Sequence, residues 1–294
     1  MTMTGDQAVG GYTGPTPEEV GATYDEFGDL YALTVGDVGV HVGMWSRPGE
    51  REPAATLGDL ANRAQERQTA YHVETLALRA DEHLLDIGCG TGLPAVRMAR
   101  HRGGRVTGIT VSATHLAKAT ETARTWGVSE RVTFRHGNVM DLGFEDESFD
   151  AAMAVDVFAH LSDRQRAFRE IARVLRPGSH FLLNDFTLRG TPPEEQLAAY
   201  LRAWCCAPPV TLVRTLEMAA DAGLELVKAE SMTPSCAFSG ELMALLYADK
   251  HDAIAERYGP ELTARMDGLV PLMRSLFRDH LGYYLYLLRK PGRR

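Results

Sequence analysis

This chain of 294 residues predicts an α/β fold with a doubly wound, mostly parallel sheet, and three observations carry that prediction. The stretch LLDIGCGTG, residues 84–92, reads as a buried strand closed by Asp86, a turn at Gly88, Gly90 and Gly92, and a helix starting near Leu93 and Pro94. Short apolar or β-branched runs recur at 105–109, 132–134, 151–155 and 179–185, with helical patterns between most of them. Two more strand-like runs follow, at 224–229 and in the terminal GYYLYLLRKPG, which makes seven strands. Strands that alternate with helices argue for βαβ units and a parallel sheet. Glycine tolerates positive φ and lets a ligand touch the backbone, so a strand, a glycine turn and a helix N-terminus make a nucleotide pocket.

Composition sets the outer limits. At 45% hydrophobic and 24% charged, the chain has the make-up of a water-soluble globular protein, long enough for one large domain or a domain with a cap. A net charge of -8 disfavours a nucleic-acid partner, which needs a basic face. No apolar run approaches the roughly 20 residues that span a bilayer, so no membrane partner is expected. The polar, glycine-rich start lacks the pattern of a signal peptide, and residues 1–14 are expected to be a disordered tail. Cys89, Cys205, Cys206 and Cys236 have no metal-ligand spacing, so reduced thiols, a cytoplasmic location and no bound metal are the expectation.

Taken in order, Thr16 can cap a helix with Pro17 at its first position and Glu19 in its first turn. That helix runs through Tyr24, Phe27, Leu30 and Tyr31 until Gly36 and Gly39 break it, and VHVGMW (residues 40–45) follows. Lying before the glycine-turn strand, the segment can fold over a ligand as a lid. Residues 57–78 form an amphipathic helix, and 94–100 the helix after the turn. The second strand ends at Thr110, the third is followed by HGNVMDL, and the fourth ends at Asp156 with His160 four residues on. A helix then ends at Arg176, Pro177 and Gly178 turn the chain, and Asp185 closes the fifth strand. Helices at 192–204 and 213–222, the strand at 224–229 and helical segments over 235–281 precede the last strand. One domain, 15–291, is therefore expected, with its core at about 57–233 and 282–291 and a helical cap from about 234–281 plus 15–56.

The residues DIGCGTG resemble motif I of class I S-adenosylmethionine (SAM)-dependent methyltransferases, and LGFEDESFDAAMAVD with the later RPG resembles further motifs of the same family. The glycine spacing differs from the dinucleotide fingerprint GxGxxG, which disfavours a dehydrogenase. Within the family, the "YD" helix and the HVGMW stretch look most like natural-product enzymes, especially sugar O-methyltransferases similar to the rebeccamycin type. Met44 and Val42 stand where those carry tyrosine and phenylalanine.

The resemblance implies a seven-stranded Rossmann-like sheet and SAM as cofactor, with S-adenosylhomocysteine as product. It implies that Tyr24 and Trp45 lie against the cofactor, beside Asp86, Gly88, Gly90 and Val155. Most relatives place an acid at the end of the second strand for the ribose, where this chain has Thr110, and the compensating polar residue falls at His115. Asn138 and the backbone of Val139 would meet the adenine. His160 is nominated as general base, Asp156 as cofactor contact, orienter or second base, and Asp185 as a group beside the acceptor. Some sugar enzymes carry two consecutive histidines here, and this chain has Ala159 and then His160.

The expected function is methyl transfer from SAM to a hydroxyl (or amine) of a small specialised metabolite. A histidine near neutral pKa suits removal of a hydroxyl proton. Two other readings stay open here. One is C-methylation of an isoprenoid diphosphate, which would need magnesium and a basic pocket from Arg202, Lys250, Arg257 or Arg274. The other is a non-catalytic SAM-binding protein. The sequence also leaves a homodimer open.

Overall fold

A computed structural model gives the structure of residues 12–36, 38–39, 41–45 and 54–293. Seven strands form one sheet: β1 (His83–Ile87), β2 (Arg105–Thr110), β3 (Val132–His136), β4 (Phe149–Val155), β5 (Leu175–Leu188), β6 (Glu225–Ser231) and β7 (Leu281–Arg289). Their order is β3-β2-β1-β4-β5-β7-β6, and only β7 runs against its neighbours. The chain leaves β1 first to one side and then to the other, so the order reverses between β1 and β4. The carboxyl ends of those two strands are where an open α/β sheet leaves a crevice.

Helices cover both faces. One carries α2 (Leu57–Leu76), α3 (Leu93–Arg102), α6 (Glu194–Ala203) and α8 (Thr233–Asp279), packed on Leu84, Val106, Met153, Leu182 and Tyr283. The other carries α5 (Arg164–Val174) and α7 (Leu212–Asp221), packed on Leu85, Ile87, Ala152, Leu183 and Tyr286. Odd and even strand residues part to opposite faces, as the pleat requires. The remaining helix of the core, α4 (Ala113–Thr125), lies beside β3 at the sheet edge.

The first helix, α1 (Pro17–Val35), begins with a capping box: Glu19 N–H donates to Thr16 Oγ1 at 3.2 Å and Thr16 N–H to Glu19 Oε2 at 2.7 Å. Such a cap is worth about 1 kcal/mol. Of the tail expected at 1–14, residues 1–11 lie outside the described residues, while Tyr12 packs partly buried against the core. The insert between β6 and β7 is α8, which breaks at Gly259 (φ 83°, ψ 168°) before Pro260. Its two halves close over α1 and α6.

One strand boundary matters for function. α5 stops at Val174 rather than Arg176, and β5 runs on to Leu188, so Asp185 sits inside the strand and not at its tip. Asp185 is paired with Tyr284 of β7.

Candidate active site

Outside the carboxyl ends of β1, β2 and β4 lies an open cleft, with about 1120 Å³ of space counting the solvent at its mouth. Its floor is the glycine turn. Gly88, Gly90 and Gly92 all have positive φ (69°, 50° and 81°). A Cβ at Gly88 would collide with Val157, and one at Gly92 would come within 2.7 Å of the Phe134 ring. No other residue fits this turn without strain.

Asp86 stands one residue before the end of β1, 3% exposed, and its Oδ2 has no hydrogen-bond partner among the described residues. Burial pushes its carboxyl up to about 7. A buried acceptor without a partner is costly unless a donor arrives. That donor must come from the cleft, and a cationic amine answers it best.

The roof is α1. Asp25 Oδ1 accepts the Ser112 hydroxyl at 2.5 Å and the Thr114 N–H at 2.9 Å, which docks the lid helix on the N-terminus of α4. Burial works to raise the Asp25 pKa, and the bonds from Ser112 and Thr114 outweigh it, so the net shift is downward. Beside it, the Tyr24 ring leans on His115 at 5.0 Å. Burial pushes the His115 imidazole down to about 4, so it is neutral.

A second cavity, of about 750 Å³, opens beyond the first between the lid, α6 and α8. Phe186, Trp204, Leu242, Met243, Leu246 and Phe277 give its wall an apolar stretch. Four residues line both cavities: Tyr24, His41, Asp156 and His160.

His160 ends a single 3-10 turn, Phe158–His160, that follows β4. Its Nδ1 lies 2.9 Å from the Cys205 carbonyl, which can only accept, so Nδ1 carries the proton. Its Nε2 is then the bare nitrogen, and the Tyr24 hydroxyl donates to it at 3.0 Å. Burial holds the imidazole below its ordinary pKa, and the charge of Arg164 adds to that. Arg164 also fixes the geometry, donating to the carbonyls of Phe158 and Pro208 at 2.9 Å each.

Asp156 stands just past the tip of β4 with φ 55°, left-handed for a residue with a side chain. Its Oδ2 accepts Val42 N–H at 2.9 Å and its Oδ1 the Tyr283 hydroxyl at 2.7 Å. The carboxyl therefore fastens the segment 41–45 to the core. Burial pushes its pKa up to about 8, with the charge of Asp185 adding to the rise and its two hydrogen bonds opposing it.

The sequence-nominated residues divide accordingly. Tyr24, Asp86, Gly88, Gly90, Thr110, His115, Asn138, Val139 and Val155 line the cleft, and Asp156 and His160 stand at its junction with the second cavity. Thr110 Oγ1 accepts Ser112 N–H at 3.2 Å, and Asn138 Oδ1 accepts Met140 N–H at 2.9 Å, which leaves each oxygen one lone pair for a ligand.

Two nominated residues lie outside the cleft. Trp45 does not reach the cleft. Its indole N–H donates to the Ser235 carbonyl and Ser239 Oγ of α8 at 3.0 and 2.8 Å, and its ring lines the second cavity. Asp185 faces neither cavity. Strand alternation turns it toward Arg164, Thr215 and Tyr286 on the opposite face, while its neighbour Phe186 enters the second cavity.

Sequence reasoning missed His41 and His72. Both line the cleft. His41 Nδ1 lies 2.9 Å from the Val42 carbonyl, and His72 Nε2 lies 2.8 Å from Asn184 Oδ1. His41 had a signal, since it stands inside the HVGMW stretch. His72 had none, its partner being 112 positions away. Among the described residues, no group of three His, Cys, Asp or Glu could hold a metal ion.

Comparison with known proteins agrees with this geometry. Residues 85–183 match the family model "Methyltransferase domain". The (+)-O-methylkolavelool synthase of Herpetosiphon aurantiacus is 31% identical over 279 residues, 95% of each chain. This chain is a SAM-dependent methyltransferase. The methyltransferase is also similar to the 27-O-demethylrifamycin SV methyltransferase of Amycolatopsis mediterranei, at 39% identity over 61% of this chain and 62% of that one. Among solved structures it is similar to the [4+2]-cyclase SpnF, with a TM-score of 0.80 and 31% identity over 95% of this chain and 98% of that one. Its relatives are mostly O-methyltransferases of specialised metabolites, and its cofactor is SAM.

The cleft fits that cofactor. The unpartnered Asp86 Oδ2 suits the amino group of its methionine part, and the open glycine turn admits a ligand against the backbone. Thr110, His115, Asn138 and Val139 line the same cleft, with polar atoms that could meet a sugar and a base.

Proposed function

We propose that the enzyme methylates a hydroxyl carried on a largely apolar specialised metabolite, with Tyr24 and His160 passing the hydroxyl proton away. The observation that carries this reading is the meeting of the two cavities at Tyr24, His41, Asp156 and His160. Bound in the cleft, SAM supplies a methyl group already activated for attack. The protein has to set the acceptor oxygen in line at about 3–3.5 Å and to keep water out.

His160 is neutral with its one free lone pair on Nε2, and that lone pair already accepts the Tyr24 proton. The Tyr24 oxygen keeps lone pairs of its own. An acceptor hydroxyl in the second cavity donates to that oxygen, and as its proton leaves, the phenol proton moves to Nε2. Asp156 holds the lid shut across the junction through the Val42 amide.

The acceptor's character follows from the second cavity. Apart from residues at the junction, its wall is mostly aromatic and aliphatic. That favours a terpenoid or polyketide skeleton, with a sugar hydroxyl entering only as part of a larger apolar molecule. C-methylation of a diphosphate finds less support. Arg202, Lys250, Arg257 and Arg274 line neither cavity, and the last three pair with Asp249, Asp29 and Glu241 respectively.

The test is a pair of variants. His160→Ala and Tyr24→Phe should each lower turnover by about 10²–10⁴-fold, the range of a positioned acid–base group. S-adenosylhomocysteine affinity, measured by calorimetry, should change less than about threefold. Unchanged turnover in His160→Ala removes the histidine from the reaction. A fall in His160→Ala alone assigns the proton to a direct transfer without Tyr24.

A further inference from the structure

The second cavity does not end the apolar space. A third, of about 600 Å³, lies between α1 and the two halves of α8. Thr34, Trp204 and Met243 line both. Its wall is apolar except for Thr34, the Tyr31 hydroxyl and Arg265. Thr34 spends its hydroxyl on the Leu30 carbonyl of its own helix at 3.0 Å, and Tyr31 is 6% exposed.

Trp204 is the partition. It follows α6 directly and stacks on the Tyr31 ring at 4.9 Å and 14°. The next residue, Cys205, has φ 50°, a left-handed turn that lets the chain change direction at once. Trp204 is only partly buried against the core, and its indole, at the end of a helix and before a sharp turn, can turn on the Tyr31 ring without disturbing the sheet.

We propose that the third cavity is the outer half of the acceptor site. It takes the apolar arm of an acceptor too long for the second cavity, and Trp204 swings aside to admit it. This rests on the reading of the second cavity as the acceptor's. Continuity supports the occupant: one molecule can lie along both spaces, with its reacting hydroxyl at Tyr24 and its far end between Leu30 and Leu269. The walls offer such an arm dispersion and burial, and Arg265, the one charged lining residue, is exposed to solvent.

The experiment uses the whole chain saturated with S-adenosylhomocysteine and a series of straight-chain primary alcohols from butanol to dodecanol, with affinity read by calorimetry. Each added methylene that is buried should tighten binding about fourfold. In the unaltered enzyme the gain should continue past the length that fills the second cavity. In Leu269→Trp, which plugs the third cavity far from His160, the gain should stop there while short alcohols bind as before. Val270→Phe is the milder plug should the tryptophan impair folding. A gain that stops at the same length in the unaltered enzyme and in the plugged variants overturns the proposal. Failure to bind S-adenosylhomocysteine is a separate result: it counts against the cofactor site, and the alcohol series on the same protein still tests the third cavity by the same length dependence.

Discussion

Tyr24 Oη lies 3.0 Å from His160 Nε2, although 136 positions separate the two residues. The contact joins α1 to the turn after β4. The cleft and the second cavity therefore share a hydrogen bond at their junction. It also decides which nitrogen of His160 is basic, because the other is committed to the Cys205 carbonyl.

The pH profile of turnover should reflect that environment. Burial and the charge of Arg164 both disfavour the imidazolium. A histidine whose pKa is lowered stays neutral, and so able to accept a proton, to more acidic pH. The acid limb of kcat should therefore have its midpoint below about 6.5, the ordinary histidine value. Single-turnover rates at fixed saturation would show it, and a midpoint at or above that value would place another group in the role.

Asp86 makes a prediction about cofactor binding. In the free enzyme burial holds its pKa up to about 7. A cationic amine beside it favours the carboxylate, so binding expels a proton wherever the free carboxyl still holds one. Affinity for SAM should rise from pH 5 to about 7 and level off above. Calorimetry at pH 6 in two buffers of different ionisation heat should record proton release, and Asp86→Asn should abolish the release and weaken binding.

These groups were unequally legible in the sequence. The Asp86–Gly92 turn is a local signal, since a strand, positive-φ glycines and a helix start are all written within ten residues, and the structure follows it. The ends of β2 and β4, and hence Thr110 and Asp156, could be counted from short apolar runs. Asp185 was misplaced because β5 outlasts its apolar run by pairing with β7, and alternation then sends the carboxyl to the far face. The position of Trp45 could not be read locally, because its partners, Ser235 and Ser239, lie 190 and 194 positions away in a helix with no recognisable motif. What escapes a sequence reading here is contact at long range, and the second cavity, between the first helix, α6 and α8, is built almost wholly from it.

Stability should respond to pH through the buried carboxyls. Asp86 and Asp185 have pKa values near 7 and Asp156 near 8, all raised chiefly by burial. A carboxyl with a raised folded pKa keeps its proton after the unfolded chain has released it. Its contribution is complete below about pH 4 and is lost as pH climbs through 7 to 8, at up to ~1.4 kcal/mol per pH unit for each group. The free enzyme should therefore melt at a lower temperature at pH 8 than at pH 5. Asp185→Asn should flatten that slope and leave kcat within about threefold, because Asp185 faces neither cavity. A large loss of turnover in that variant would return it to the reaction.

Asp25 offers the sharpest test of the lid. Its carboxylate caps α4 and holds α1 down, and Tyr24 is the next residue along the same helix. The side chain is exposed, so solvent screens its charge, and the two hydrogen bonds are the part that matters. Losing them in Asp25→Ala should raise KM for SAM by about 3–10-fold, since α1 forms the roof of the cleft. Turnover should fall as well, because the Tyr24 phenol loses its fixed distance to His160. Asp25→Asn keeps an oxygen at the same place and should restore most of both. If Asp25→Ala raised KM with kcat untouched, the lid would serve cofactor retention alone, and the proton path through Tyr24 would have to be given up.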